Sequence, residues 1–368
     1  YLQDHELNNT DFKNTNIFYH GKINAPDGQF DVQGGWETKG FGANSFYTPA
    51  YPNQYEATET GFGSVRYIYK KEGFTMRPVV YYRRHQDRFE LFRNDAPEWY
   101  GGHNHHLTDV WGTNISGSVN PGFGNIAFGL DYRNEHIFSN VLGKEMDDPV
   151  EVPGENAAFT KEDNRNTVSL NAEYSFDWKG LHLAAGVMAT HYSGLKEIQF
   201  YPGLEASYRI FGGFRIFGSY NEAMRLPTFT DLYYSGPTNI GNPDLKPEES
   251  ATVEGGLKYT GPAQRIQMAV FHRNGESIID WVKENEEDKW QPQNLVEVNA
   301  TGLEISWELR PKQIRENFPV SNIHFTYSYT DLGKAAGDLI SQYVLDNLKH
   351  KLSINLRHQV FSNMHASW

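Results

Sequence analysis

Hydrophobic and polar residues alternate along most of this chain. In the clearest run the two kinds take turns at successive positions: Ile126, Phe128, Leu130 and Tyr132 against Asn125, Asp131, Arg133 and Glu135. A period of two places successive side chains on opposite faces of a β-strand. Because one face is apolar and the other is charged, this strand requires an apolar environment on one side and water on the other.

Similar alternation predicts about fifteen strands, most of them about 10 to 14 residues long. Short turns, such as Pro26-Asp27-Gly28 and Lys179-Gly180, mostly alternate with long loops, such as those predicted at 87–107 and 139–164. Aromatic residues recur near the short turns or a longer link: Tyr69, Trp178, Phe211, Tyr259 and Trp307. These features favour an all-β transmembrane antiparallel barrel, with outer-membrane lipid against its apolar face, over a soluble propeller.

The stretch from Ser219 to Gly256 is the most distinctive part of the sequence. It contains the four prolines Pro227, Pro237, Pro243 and Pro247. Each proline lacks a backbone donor and disfavours the helical region for the preceding residue. We therefore predict a long polar loop, built from turns and without helix, between two strands.

Two motifs in this loop resemble the paired boxes of TonB-dependent outer-membrane transporters: Met224-Arg225-Leu226-Pro227 and Gly241-Asn242-Pro243-Asp244-Leu245-Lys246-Pro247-Glu248. Their order, their separation and the strands on both sides make the match specific. The resemblance assigns the box positions to Arg225, Pro227, Asn242, Pro243, Asp244 and Leu245.

In that family about 22 strands surround a plug. The resemblance implies that residues 1–368 form a single partial barrel domain of this 22-stranded plugged type. The plug and the first strands are expected before Tyr1, and the last strands after Trp368.

Composition excludes several activities. The net charge of -13 leaves no basic face for nucleic acid, and the absence of Cys excludes thiol catalysis, disulfides and thiolate metal sites. We find no nucleophile-elbow, zinc-hydrolase or phosphate-loop motif, so we expect no enzyme. The sequence also lacks a run of about 18 apolar residues, which excludes a transmembrane helix.

Aromatic residues in and beside the long loops suit a large, rigid, partly apolar ligand held by stacking. The candidates are Tyr47, Tyr51, Tyr55, Trp99, Tyr100, Phe229, Tyr233 and Tyr234. Cobalamin and ferric siderophores both fit this description, and the segment FGANSFY (41–47) is more similar to cobalamin receptors. Haem receptors of the family carry a His between the boxes, whereas Thr228 to Gly241 contains none. We therefore rank cobalamin first, siderophore second and haem third.

Two groups of side chains are candidate metal ligands. His103, His105 and His106 offer imidazoles for a transition metal or haem, and Asp147 and Asp148 offer carboxylates for calcium. Neither group has the spacing of a known metal motif, so solvated loops are the alternative. We expect no other cofactor.

The resemblance further implies an active-transport receptor in the outer membrane of a Gram-negative bacterium, which takes up a scarce large nutrient from its extracellular loops. The TonB energy-transducing complex would act through the missing plug, and a surface lipoprotein is a further partner that the resemblance allows. A soluble all-β binding module and an adhesive surface protein are the alternatives. Extraction distinguishes them, because a barrel needs detergent whereas a soluble module purifies in plain buffer.

Overall fold

One antiparallel sheet makes up almost the whole molecule. The structure is a computed structural model that describes residues 8–44, 46, 51–334, 339–342, 348–361 and 363–368, without the side chains of 295, 296 and 334. Tyr47, a predicted ligand residue, lies outside the described residues.

Eighteen strands are found within the described residues. They are β1 (Phe12–Ala25), β2 (Gly28–Gly42), β3 (Tyr55–Lys71), β4 (Phe74–Glu90), β5 (Asn104–Val119), β6 (Asn125–Ser139), β7 (Lys144–Glu151), β8 (Ala158–Trp178), β9 (Leu181–Tyr192), β10 (Gln199–Phe211), β11 (Phe214–Arg225), β12 (Glu248–Thr260), β13 (Gln264–Lys283), β14 (Gln291–Leu309), β15 (Val320–Lys334), β16 (Ile340–Ser341), β17 (His350–Phe361) and β18 (Met364–Ser367). Fifteen of these eighteen observed strands are 12 to 21 residues long, which matches the number of about fifteen strands predicted from the sequence. The others, β7, β16 and β18, are short.

Each long strand pairs with the next long strand along the chain. Two short strands depart from this order. β7 adds to β8 on the edge opposite β6, since Lys161 is opposite both Ser139 and Glu145. β16 likewise pairs with the end of β13, on the edge opposite β14. Both cases use a stretch of strand edge that the regular neighbour leaves free.

The register confirms the two predicted faces. Leu130 is directly opposite Ile115 and Leu170, whereas Asp131 is opposite Asn114 and Ser169. Leu130 and Leu170 are 37% and 55% exposed. A second apolar row crosses six strands: Ile216, Leu257, Met268, Ile305, Tyr327 and Leu352. An apolar surface this continuous requires a non-aqueous environment.

Strands extend further into the loops than the alternation predicts. β4 ends at Glu90 and β5 begins at Asn104, so the loop between them covers only 91–103. His105 and His106, predicted in a loop, are therefore strand residues. The predicted acidic loop at 139–164 also contains β7 and the first residues of β8.

The prediction that the box loop contains no helix is wrong. A one-turn helix, α1 (Phe229–Tyr233), begins two residues after Pro227. Thr228 caps it, because its hydroxyl accepts the amide of Asp231 at 3.1 Å while the Asp231 carboxylate accepts the amide of Thr228 at 3.0 Å. This capping box stabilises a turn in a stretch where the next proline is Pro237. One 3₁₀ turn, Pro311–Gln313, lies between β14 and β15.

No helix within the described ranges is long and apolar enough to cross a membrane.

Candidate functional site

The first box closes the base of the loop that joins β11 to β12. Arg225 ends β11 opposite Glu248, which begins β12. The Nη2 atom of Arg225 donates to Glu248 Oε1 at 2.8 Å, and its Nε atom donates to the second carboxylate oxygen. Glu248 Oε1 also accepts the backbone amide of Ile279 at 2.8 Å. This charged pair therefore holds both ends of the loop and attaches them to β13.

The helix α1 is attached to β13 by a buried carboxylate. Asp231 is only 8% exposed, and its Oδ1 atom accepts the indole N–H of Trp281 at 3.1 Å. Its other oxygen caps the helix, and Arg225 Nη1 lies 4.0 Å from it. Burial of a carboxylate is tolerated when donors surround it in this way.

The second box is a turn attached to the β13–β14 hairpin. The Asn242 side chain accepts the amide of Asp244 at 3.1 Å and donates to the carbonyl of Pro292 at 3.1 Å. Its backbone amide donates to the carbonyl of Asp231 at 2.9 Å. Asp244 and Pro243 themselves are exposed. Asn242 therefore fixes the turn and joins it to α1.

Asn294 on β14 completes the attachment of the second box. Its side chain accepts the amide of Lys246 at 2.9 Å and donates to the Lys246 carbonyl at 3.0 Å. It also donates to the carbonyl of Ser277 at 2.6 Å. Ser277 has a φ of 54°, an unfavourable conformation for a residue with a side chain. Box residues thus serve mainly as a scaffold that holds the loop in one conformation.

The box loop also reaches the polar face of β8. The Nη1 atom of Arg165 donates to the carbonyl of Pro227 at 2.8 Å, and its guanidinium lies 5.0 Å from the Phe229 ring. Tyr233 donates to Asp163 at 2.8 Å. Because β8 and β11 are three strands apart in the sheet, these contacts require the polar face to be concave. The polar face is therefore the inner wall, and α1 lies against it.

A second loop, 91–103, contributes an aromatic group centred on Phe92. The rings of Tyr51, Trp99 and Tyr100 contact Phe92 edge-on, with centroids 5.4 to 5.6 Å away. Trp99 is 60% exposed, so its indole is free to contact a ligand. Tyr55 lies apart from these rings, beneath the guanidinium of Arg93 at 4.2 Å.

Tyr100 holds the loop 91–103 together through its hydroxyl group. Its hydroxyl accepts the amide of Leu91 at 3.1 Å and lies 3.2 Å from His103 Nδ1. Burial raises the pKa of Tyr100, and the charge of Glu90 adds to this increase. Tyr234 follows α1 in the box loop, which lies at the same rim of the sheet as the loop 91–103. The predicted ligand residues Tyr51, Trp99 and Tyr100 are thus in one aromatic group, and Tyr234 lies in a loop at the same rim.

The predicted metal ligands are not brought together. The ring centroids of His103 and His105 are 6.3 Å apart. The His106 side chain is on the other face of β5 from that of His105, where its Nδ1 atom lies 2.7 Å from Ser139 Oγ. Asp147 and Asp148 are exposed on β7. Within the part of the chain that the structure describes, no three His, Cys, Asp or Glu side chains are grouped to hold a metal. Alternation along β5 explains the separation of the histidines.

Sequence reasoning misses several residues that build this region. Thr228 and Asp231 carry a detectable signal, the capping spacing Thr-x-x-Asp. Trp281, Asn294 and Arg165 carry none, because each bonds to a residue about 50 or more positions away along the chain.

A curved antiparallel sheet with an apolar outer face, a polar inner wall and loops that fold over that wall belongs to the class of transmembrane β-barrel receptors. The family model for the TonB dependent receptor-like β-barrel matches residues 3–366, and the chain belongs to this family. Membership implies the outer membrane of Gram-negative bacteria.

Two curated relatives are similar over part of the chain. The vitamin B12 transporter BtuB of Vibrio vulnificus is 35% identical over 81 residues, which are 22% of this chain and 13% of that protein. The BtuB protein of Photobacterium profundum is 28% identical over 108 residues, which are 28% of this chain and 17% of that protein. The matched segments are therefore a small part of both relatives.

Solved structures share the fold over nearly the whole chain. The siderophore receptor PirA of Pseudomonas aeruginosa has a TM-score of 0.70 at 14% identity, covering 97% of this chain and 61% of that one. The Serratia marcescens hemophore receptor HasR, solved with its hemophore HasA and heme, has a TM-score of 0.72 at 15% identity, covering 97% and 63%. The chain thus spans about three fifths of these receptors.

Proposed function

We propose that this protein is a receptor that binds a large nutrient at its outer loops and imports it across the outer membrane with energy from TonB. The observation that carries the proposal is that the box loop and the loop 91–103 lie at the same rim of the sheet, because both follow strands that run in the same direction. One presents Phe229, Tyr233 and Tyr234 on a rigid scaffold, and the other presents Trp99 and Tyr100. Rigid aromatic surfaces bind large planar or partly apolar ligands with little loss of side-chain entropy.

Cobalamin is the substrate we favour. The partial similarity to two vitamin B12 transporters supports it, as does the segment at 41–47. A ferric siderophore is the second candidate, because receptors for siderophores have the same fold. Haem is the third, since Thr228 to Gly241 contains no His and His106 points away from His103 and His105.

Import requires parts that act together with this chain. Among the described residues, β1 pairs only with β2, which leaves one strand edge free. A sheet in lipid must close, so we propose that further strands complete the ring and that a plug within it contacts TonB. A surface lipoprotein that delivers the ligand is consistent with the exposed acidic strand β7.

A parallel titration of the full-length receptor with cobalamin, haem and a ferric siderophore tests the substrate. We expect submicromolar binding of cobalamin alone, measured by calorimetry in detergent. Binding of haem that disappears when His103, His105 and His106 become Ala, but not when His272 on β13 does, would reverse the ranking. If none of the three binds, glycans or peptides become the leading class.

The aromatic group should supply much of the affinity. We expect Trp99→Ala to weaken ligand binding by about 30-fold or more, since aromatic anchors at binding sites are worth roughly 2 kcal/mol or more. Trp178→Ala is the matched control, because Trp178 is equally exposed but lies beside a short turn at the opposite rim. Equal losses in the two variants would place the ligand elsewhere.

A further inference from the structure

A polar patch lies on the outer face of the sheet, further along the strands than the apolar row that contains Leu130. It consists of two successive rows of outward-facing residues across β4, β5, β6 and β8. The lower row is Tyr82, Trp111, Asn134 and Asn166, and the upper row is Arg84, Asp109, His136 and Asn164. All eight share the strand parity of Leu130 and its partners, so they face outwards. We call these eight residues the polar shelf.

The height of the polar shelf places it where the hydrocarbon layer ends. Along β6, His136 is ten residues beyond Ile126, which pairs with Val119 beside the short turn. Ten residues are roughly 33 Å along a strand, or roughly 25 Å across the membrane at a tilt of about 40°, which is the height of the apolar band in such barrels. The shelf is on the side of the long loops, which are extracellular in these barrels. It is therefore level with the lipid headgroups of the outer leaflet.

The turn at 152–157 closes the polar shelf from above. Gln86, the next outward residue after Arg84 on β4, donates to the carbonyl of Pro153 at 3.1 Å. Val152 belongs to a buried cluster with Leu107, the next outward residue beyond Asp109 on β5. The shelf thus lies between a loop above it and the apolar rows below it.

The polar shelf offers amide groups and an aromatic surface. Asn134 donates to Asn164 at 2.9 Å and to Asn166 at 2.8 Å, and the Tyr132 hydroxyl donates to Asn166 at 2.8 Å. Asn164 is exposed, and its amide nitrogen makes one long contact with a described residue, 3.5 Å to Asn134, so it retains an N–H for a ligand. The rings of Trp111 and Tyr132 are 5.1 Å apart, and Trp111 is 46% exposed.

The charged groups of the polar shelf are already paired. Arg84 donates twice to Asp109, at 2.7 and 2.8 Å, and His136 Nε2 lies 2.9 Å from a carboxylate oxygen of Glu162. A phosphate group here would meet two carboxylates and a guanidinium that is already bonded. Sugar hydroxyl groups, in contrast, donate and accept as amides do, and the C–H face of a sugar ring packs on an aromatic ring.

We propose that the polar shelf binds the sugar headgroup of a glycolipid in the outer leaflet. The acyl chains of the same molecule contact the apolar rows below the shelf, so a glycolipid covers both surfaces, whereas a soluble saccharide covers only one. This inference depends on the membrane position of the sheet and not on which nutrient is imported.

The test uses the receptor purified in a detergent whose headgroup contains no sugar, with folding of each variant confirmed by its mobility in electrophoresis without boiling. Two probes are titrated separately: lipopolysaccharide that carries its core sugars, and phosphatidylglycerol. Native mass spectrometry measures the bound fraction of each lipid. We expect the receptor to bind lipopolysaccharide at least about 10-fold more tightly than phosphatidylglycerol, and Trp111→Ala to weaken only the lipopolysaccharide, by about 10-fold.

Asn164→Ala should also weaken lipopolysaccharide binding, by about 3- to 10-fold, because it removes a hydrogen-bond donor. Two matched variants on β14 should leave the binding unchanged. Trp307→Ala removes an aromatic residue of the same outer face at the opposite rim, and Asn299→Ala removes an outward amide far from the shelf along the sheet. Equal affinity for the two lipids, or equal losses in Trp111→Ala and Trp307→Ala, overturns the proposal.

Discussion

Arg in place of Leu130 is expected to destabilise the folded protein in a bilayer by about 2 to 4 kcal/mol. Leu130 is exposed on the apolar face and is directly opposite Ile115 and Leu170. A guanidinium at this position would lie in hydrocarbon, where no group on the neighbouring strands can neutralise it. The free energy of unfolding in lipid vesicles, from denaturant titration, measures this cost.

The adjacent position provides the control for this prediction. Asp131 is one residue along the same strand, but it faces the inner wall, where Asn114 donates to its carboxylate at 3.3 Å. Asp131→Arg should therefore cost much less than Leu130→Arg, because its side chain remains in water. Ser169→Arg, opposite Asp131, should behave in the same way. Equal costs for Leu130→Arg and Asp131→Arg would show that the assignment of faces is wrong.

Replacement of Asp231 by Ala should release α1 and loosen the box loop. The change removes one half of the capping box, the acceptor of the Thr228 amide, worth about 0.5 to 2 kcal/mol, and leaves the buried indole N–H of Trp281 without an acceptor, which costs about 1 to 3 kcal/mol. Together these terms predict a loop about 2 to 4 kcal/mol less stable. Hydrogen exchange of the α1 amides should accelerate by between about one and three orders of magnitude.

A double-mutant cycle separates the two contributions. Trp281→Phe alone leaves the Asp231 carboxylate without one donor, whereas the double variant removes both partners, so its cost should be smaller than the sum of the single costs. Thr230→Ala changes an exposed residue of the same helix and should have little effect. Strict additivity of Asp231→Ala and Trp281→Phe would mean that the hydrogen bond between them contributes nothing. Ligand affinity should fall as α1 detaches from β13, since only the attached loop holds Phe229 and Tyr233 against the inner wall.

The sheet could be predicted from the sequence because its two faces meet different solvents. Leu130 and Asp131 differ so strongly in polarity that their order alone fixes the direction of each side chain. The box motifs similarly indicated where the long loop lies. β7 and β16 were not predicted, for a physical reason. Each pairs with a stretch of strand edge that a neighbouring strand is too short to cover, and the lengths of those neighbours are not encoded in β7 or β16 themselves.

The candidate binding region was predictable only in part. Trp99, Tyr100 and the aromatic residues of α1 are conspicuous because they lie in polar segments, and the structure places their two loops at the same rim of the sheet. The assignment of His103, His105 and His106 to one metal site neglected strand alternation, which separates His106 from the others. The contact between Arg165 and Pro227 depends on the curvature of the sheet, which no local pattern encodes.

That contact also bears on the order in which the protein folds. β1 to β6 pair successively through short connections or loops, so their ends meet at a small cost in loop-closure entropy. Arg165 and Pro227 are 62 residues apart, and Tyr233 and Asp163 are 70 apart. These two hydrogen bonds can form only after the intervening strands have paired and the sheet has curved, as expected for contacts of high sequence separation. Docking of α1 is therefore a late event, and a receptor whose wall has folded with the wrong curvature would display an unattached box loop.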